Sequence, residues 1–239
     1  MDDRVVWITG GGSGMGAATA RAAAAAGWIV VVSGRRAAAL QQVVDAVVGQ
    51  GGRAHALPLD VNDATAVAAA HREISQRYGR LDALVLAAGL NAPKRRWDDQ
   101  TVASFRAIVD TNLTAVATIV DAALPSLRDS GGTVVVISSY AGWSFQPNAG
   151  VAYSASKTAL ASIVRTLNQQ EAPSGVRATH LCPGDVATDF LDQRPEVPDA
   201  AARAVMLTAD DIADAAMFVL AARPGVRIDE LVISPVAQR

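Results

Sequence analysis

The feature that most constrains this chain is its rhythm: short β-branched, apolar runs alternate with alanine-rich helical stretches to the C-terminus. The spacing predicts strands over Val5–Thr9, Ile29–Ser33, Arg53–Leu57, Ala83–Ala87, Thr133–Ser138, Val176–Cys182 and Leu231–Ser234. Helices are predicted over Gly14–Ala26, Ala38–Gln50, Ala64–Tyr78, Val102–Leu127, Tyr153–Glu171 and Asp210–Ala222. The strand runs lack inside/outside alternation, which suits strands covered by helices on both faces. Crossovers of this length return each strand parallel to the last, so the expected fold is an α/β, seven-stranded, parallel, doubly wound sheet. No linker divides the chain, and a single domain over residues 1–239 is expected. The longest irregular stretches, Leu90–Gln100, Tyr140–Ala152 and Gly184–Ala200, each follow the C-terminal end of a strand. Open α/β sheets bind ligands there.

Several function classes are excluded by composition. With 51% hydrophobic and 18% charged residues in 239, the chain is not disordered. A balance of 21 basic against 23 acidic residues gives no electrostatic reason to expect nucleic acid. Cys182 is the only cysteine, which excludes disulfide frameworks and Cys-based zinc sites. His55, His71 and His180 share no ligand spacing and read as surface or edge residues, so no metal site is expected. Asp2 and Asp3 stand where a signal peptide would be basic, and the longest apolar run, Ala22–Val32, is too short to span a bilayer. A cytoplasmic protein with no membrane partner is expected.

After the first strand comes Thr9-Gly10-Gly11-Gly12-Ser13-Gly14-Met15-Gly16, then a helix. Glycines let a backbone turn sharply and approach a pyrophosphate, and the helix N-terminus supplies free N–H groups. A purely structural turn is the plain alternative. At the end of the second strand a carboxylate would accept from the 2′-OH of NAD, whereas an Arg would pair with the 2′-phosphate of NADP. Here the chain reads Ser33-Gly34-Arg35-Arg36. Arg35 therefore favours NADP(H), unless the two arginines only solvate the start of the second helix.

In Tyr153-Ser154-Ala155-Ser156-Lys157, a spacing of four puts Tyr153 and Lys157 on one helical face. An ammonium beside a phenol favours the phenolate and lowers its pKa toward neutrality. Only two of the 21 basic residues are lysines, Lys94 and Lys157, which argues against a chance surface pair. Ser139, fourteen residues before Tyr153, could bond a substrate carbonyl or be an ordinary strand-end serine. Asn112 lies in an otherwise apolar helix, where it could be a buried structural amide or could open the helix to hold a water.

Taken in order, the glycine motif, Asp60-Val61, Asn112, Ser139, Tyr153-x-x-x-Lys157 and Pro183-Gly184-x-Val186-x-Thr188 closely resemble the short-chain dehydrogenase/reductase family from Val5 to Pro235. The resemblance implies a single-domain Rossmann fold and reversible hydride transfer between a nicotinamide and a carbonyl or secondary alcohol. It implies that Gly10, Gly12, Ser13, Gly14, Met15, Gly16, Arg35, Ala88 and Gly89 bind the nucleotide, with Asp60 and Val61 at the adenine. Pro183, Gly184, Val186 and Thr188 would hold the carboxamide. Tyr153 would be the general acid/base and Ser139 would orient the carbonyl. Lys157 would bind the nicotinamide ribose and lower the tyrosine pKa, and Asn112 would anchor a water. Ser13 is not basic, so a second phosphate clamp of some NADP-dependent relatives is missing. Where the family usually has Asn-Asn-Ala-Gly, this chain has Leu86-Ala87-Ala88-Gly89, losing amides that tie strands together. NAD(H) in place of NADP(H), or a non-catalytic nucleotide-binding regulator, are the rival readings.

The substrate is expected to be a small carbonyl or alcohol between an apolar wall of Trp143, Phe145 and Phe190 and a lid over about residues 184–205. The tail Leu231–Val236 resembles the serine and allo-threonine dehydrogenase branch, which implies a 3-hydroxy acid. Lys94, Arg95 and Arg96 read as a solvated loop rather than a carboxylate site. His180 and Cys182 read as packing residues, with no third group to orient them. The family implies a homotetramer, and the small residues Ala155, Ala159 and Ser162 suit close helix pairing.

Overall fold

The computed structural model describes residues 3–238, so the expectation resting on Asp2 lies outside the described residues. Strands β1 (Val5–Thr9), β2 (Ile29–Gly34), β3 (Arg53–Pro58), β4 (Ala83–Leu86), β5 (Thr133–Ile137), β6 (Arg177–Pro183) and β7 (Glu230–Ile233) form one sheet. Its order is β3-β2-β1-β4-β5-β6-β7, with every pairing parallel. Helices α1 (Gly14–Ala25), α2 (Ala37–Gly49) and α9 (Ala209–Leu220) cover one face. Helices α3 (Ala64–Tyr78), α5 (Ala115–Ser130) and α7 (Val151–Gln170) cover the other. The remaining helices are α4 (Val102–Val109), α6 (Tyr140–Trp143) and α8 (Ala200–Arg203).

The uninterrupted apolarity of the strands has its reason in this two-sided cover. Along β1, Val5 and Trp7 pack with Leu84, Ile119 and Val164 on one side, while Val6 and Ile8 pack with Val30, Val85 and Ile212 on the other. Side chains alternate at period two, so a strand between two helical layers needs apolar residues at every position. Helix starts follow local chemistry. Asp63 caps α3 by accepting from the N–H groups of Thr65 and Ala66, and Thr208 with Asp211 forms a capping box on α9.

Two stretches stand out against the sequence expectation. The helix predicted over Val102–Leu127 runs from Val102 to Ser130 but is interrupted by a wide π-turn at Asp110–Thr114, which marks Asn112 out. Length and apolarity alone would let this stretch cross a bilayer, yet Ile108, Ile119, Ala123 and Leu127 are buried against the sheet and its helices. The stretch Gly184–Ala200 is irregular except for a 3-10 helix at Asp189–Gln193, and α8 begins at its end.

Sheet order reverses between β1 and β4. The chain leaves β1 toward β2 on one side and enters β4 on the other, so the loops after these strands diverge and open a crevice at their C-terminal ends.

Candidate active site

A cleft of about 340 Å³ fills this crevice. Its floor is the glycine loop, held in shape by two positions where no side chain fits. Gly10 has φ +66°, and a Cβ there would sit 2.7 Å from the backbone of Ala87 and Ala88. At Gly16 a Cβ would drive into the Gly10 carbonyl, so α1 can seat against the loop only without one. Helix α1 has no acidic residue in its first turn and no side chain capping its N-terminus, so its N–H groups face the cleft uncompensated.

Of the residues expected to bind nucleotide, Gly10, Gly12, Ser13, Gly14, Met15, Gly16, Arg35, Asp60, Val61, Ala88, Gly89 and Thr188 line this cleft. Asp60 also accepts from the Asn62 N–H at 3.0 Å, fixing the turn after β3. Pro183, Gly184 and Val186 are not among the lining residues, nor are Tyr153 and Lys157. The Gly184 N–H donates to the Ile233 carbonyl at 2.6 Å, and Val186 is buried beside Leu207. Those three shape the segment that carries Thr188 across to Gly14, where a Cβ on the glycine would lie 3.4 Å from the Thr188 methyl.

Arg36 also lines the cleft, and its guanidinium donates to the Ser13 hydroxyl at 3.0 Å. A cation therefore stands on the glycine-loop side even though residue 13 is a serine. Sequence reasoning missed this because Arg36 reaches across from the neighbouring strand. At Leu86 and Ala87, where the family's amides are missing, Leu86 fills the core instead. Thr9, its register partner on β1, has a buried hydroxyl with no hydrogen-bond partner.

The four residues expected to be catalytic come together beyond Gly89. A Cβ at Gly89 would lie 3.9 Å from Lys157 Nζ, 3.8 Å from Asn112 Oδ1 and 3.9 Å from the Phe190 ring. Tyr153 and Lys157 share one face of α7, with Nζ 5.7 Å from the centre of the phenol ring. Burial pushes the Tyr153 phenol above its ordinary value; the facing Ser139 hydroxyl, Arg194 and Arg95 pull it back down. Lys157 is buried and donates to the Ile137 carbonyl at 3.1 Å, and desolvation drops its pKa to about 8. In this structure the lysine is therefore not the main influence on the phenol, contrary to the simple pairing argument.

Asn112 is fully buried, and its amide is committed to protein. It accepts from the Leu90 N–H at 2.7 Å and donates to the Leu90 carbonyl at 2.9 Å and to Ser156 at 3.2 Å. Ser156 in turn donates to the Tyr153 carbonyl at 2.8 Å. Asn112 thus ties the loop after β4 to the helix bearing Tyr153.

Of the expected apolar wall, only Phe190 faces Tyr153, with ring centres 6.1 Å apart. Trp143 and Phe145 are exposed. Arg95 is buried, which corrects the reading of residues 94–96 as a solvated loop; Lys94 and Arg96 are exposed. His180 is buried rather than on the surface, and a third group does face it: Glu230 on β7, 3.1 Å from Nδ1. The Cys182 sulfur is nearly equidistant from the two ring nitrogens, at 3.3 and 3.7 Å, so it stacks on the ring rather than meeting a lone pair. Burial pushes the thiol up to about 12, which removes it as a nucleophile.

Residues 4–198 match the family model of the short chain dehydrogenases. A sulfoacetaldehyde reductase of Chromohalobacter salexigens is 33% identical over 240 residues, covering 98% of this chain and 94% of that one. A 2-dehydro-3-deoxy-L-rhamnonate dehydrogenase (NAD(+)) of Sphingomonas sp. is 33% identical over 197 residues, 81% of this chain and 76% of that one. Among solved structures, an alcohol dehydrogenase of the archaeon Thermococcus sibiricus complexed with 5-hydroxy-NADP superposes with a TM-score of 0.89. It is 31% identical, with 99% of this chain and 98% of that one covered. A parallel seven-stranded sheet with a glycine-floored cleft at its switch point is the architecture of a dinucleotide-binding domain. The chain belongs to the short-chain dehydrogenase/reductase family, whose members act on alcohol and carbonyl groups.

Proposed function

We propose that this chain is an NADP(H)-dependent oxidoreductase that interconverts a small hydroxy acid and its carbonyl counterpart. The observation that carries the cofactor choice is the end of β2, where Arg35 and Arg36 line the cleft with Ser13 and no carboxylate stands at the strand end. Two guanidinium groups there suit a 2′-phosphate, which an acidic side chain would repel. The chemistry of the cleft fits the nucleotide: a glycine cradle, open N–H groups at α1 for a pyrophosphate, and Gly89 leaving room beside Lys157. When bound, the nicotinamide supplies or accepts the hydride.

The chain's own residues do the rest. Tyr153 gives its phenolic proton to the carbonyl oxygen in reduction and takes it back in oxidation. Ser139 donates to the same oxygen and holds it against the phenol. Lys157, with Nζ 5.7 Å from the centre of the Tyr153 ring, would bind the nicotinamide ribose. Asn112 acts through Leu90 and Ser156, holding the loop after β4 and α7 at a fixed spacing. Residues 184–205 serve as the lid, with Phe190 excluding water from Tyr153. An acidic substrate is supported by the relatives, since sulfoacetaldehyde and a rhamnonate are both anions.

Tyr153→Phe tests the assignment. NADPH binding is expected to survive while kcat falls by about 10²–10⁴, the range of a lost general acid. Turnover within a few-fold of wild type would remove Tyr153 from the chemistry.

A further inference from the structure

Beside Tyr153 the protein gathers more positive charge than the nucleotide chemistry requires. Arg95 is buried, and among the described residues no carboxylate forms an ion pair with it. Its guanidinium instead donates to three backbone carbonyls from three segments. These are Ala92 at 2.7 Å in the loop after β4, Asn148 at 3.5 Å before α7, and Gln193 in the lid. Gly150 makes the room, for a Cβ there would lie 2.7 Å from that of Arg95. Gln193 is tied a second time, because its side-chain oxygen accepts from the Asn91 N–H at 2.8 Å. The next residue is Arg194. It is half-exposed and pairs with one oxygen of Asp185, using a single guanidinium nitrogen. Carbonyls satisfy the donors of Arg95 without cancelling its charge, while Asp185 pairs with Arg194.

We infer that Arg194 is the seat for a carboxylate on the substrate, that Asp185 occupies this seat in the structure, and that Arg95 is the positioning residue that holds it. The seat takes a carboxylate because it already does. The planar fork of Arg194 has donors to spare for a second, bidentate partner. Its place is right for substrate rather than cofactor. Arg194 follows directly on the 3-10 helix that sets Phe190 over Tyr153. The inference rests on the proposed hydride-transfer function and names the residues that would seat the acid group of its substrate.

Acetoacetate and its methyl ester present the same ketone with and without the charge. With NADPH, the wild-type protein is expected to prefer the acid in kcat/KM. Arg194→Gln is expected to cut the acid-to-ester ratio at least tenfold, mostly through KM, and Arg194→Lys to restore part of it. Asp185→Asn frees the seat and is expected to raise the ratio severalfold. A binding readout runs beside turnover: 3-hydroxybutyrate should perturb the fluorescence of protein-bound NADPH in wild type, its methyl ester far less, and Arg194→Gln should abolish the difference. If NADPH does not bind, the proposed function fails and this inference with it. If NADPH binds but acid and ester are treated alike, or Arg194→Gln lowers both equally, this inference alone is overturned. A fall in the ratio for Asp185→Asn would overturn Asp185 as a competing occupant.

Discussion

Lys157→Met isolates the cost of keeping an ammonium out of water. In the folded protein this amine is buried and its pKa falls from 10.5 to about 8, because desolvation penalises the charged form. Below about pH 8 the lysine is charged in both folded and unfolded chains, so the whole penalty is carried. Between about 8 and 10.5 the unfolded chain keeps the proton and the folded one sheds it, so stability rises with pH. Above 10.5 the penalty is gone. Linkage across that gap gives roughly 2–3 kcal/mol between about pH 7 and pH 10. Urea unfolding of wild type and Lys157→Met at several pH values measures it. Other groups that titrate in this range, Tyr153 among them, are present in both proteins and largely cancel in the difference. The wild-type stability is expected to climb relative to the variant by that amount as pH rises, while the variant loses turnover. A difference that stays flat, or falls with pH, would refute the reasoning and show an amine solvated or paired at neutral pH.

Thr9→Val should raise the melting temperature by about 2–4 °C, since an unanswered buried hydroxyl costs on the order of 1 kcal/mol. A lower melting temperature in a thermal scan would mean that the hydroxyl has a partner. The tetramer that the family resemblance implies predicts a gel-filtration mass near four times 24.7 kDa. Elution at the mass of a single chain would contradict that expectation.

How much of this was legible in the sequence follows from what is local. Strand positions emerge from composition because two-sided burial demands apolar residues at every step, as along Val5–Thr9. Tyr153 and Lys157 are recognisable because one helical turn fixes their relation before any packing does. The π-turn at Asn112 is not legible in that way. It depends on bonds to Leu90, twenty-two residues earlier, and to Ser156, forty-four residues later. Arg95 was misread for the same reason. A basic run after a strand looks like a solvated loop until two distant carbonyls, with the local one of Ala92, are found to surround its middle residue. Arg36 and Glu230 likewise gained their partners, Ser13 and His180, only through strand neighbours. Periodicity reveals what an element buries, whereas a site is assembled across elements.

Titration of the purified protein with NADPH and with NADH, followed by nicotinamide fluorescence, tests the central claim most directly. With Arg35 and Arg36 at the end of β2 and no carboxylate beside them, NADPH is expected to bind at least about tenfold tighter, the worth of one charge-assisted contact. Removing both guanidinium groups should erase the preference. NADH binding as tightly as NADPH, or more tightly, would contradict the account.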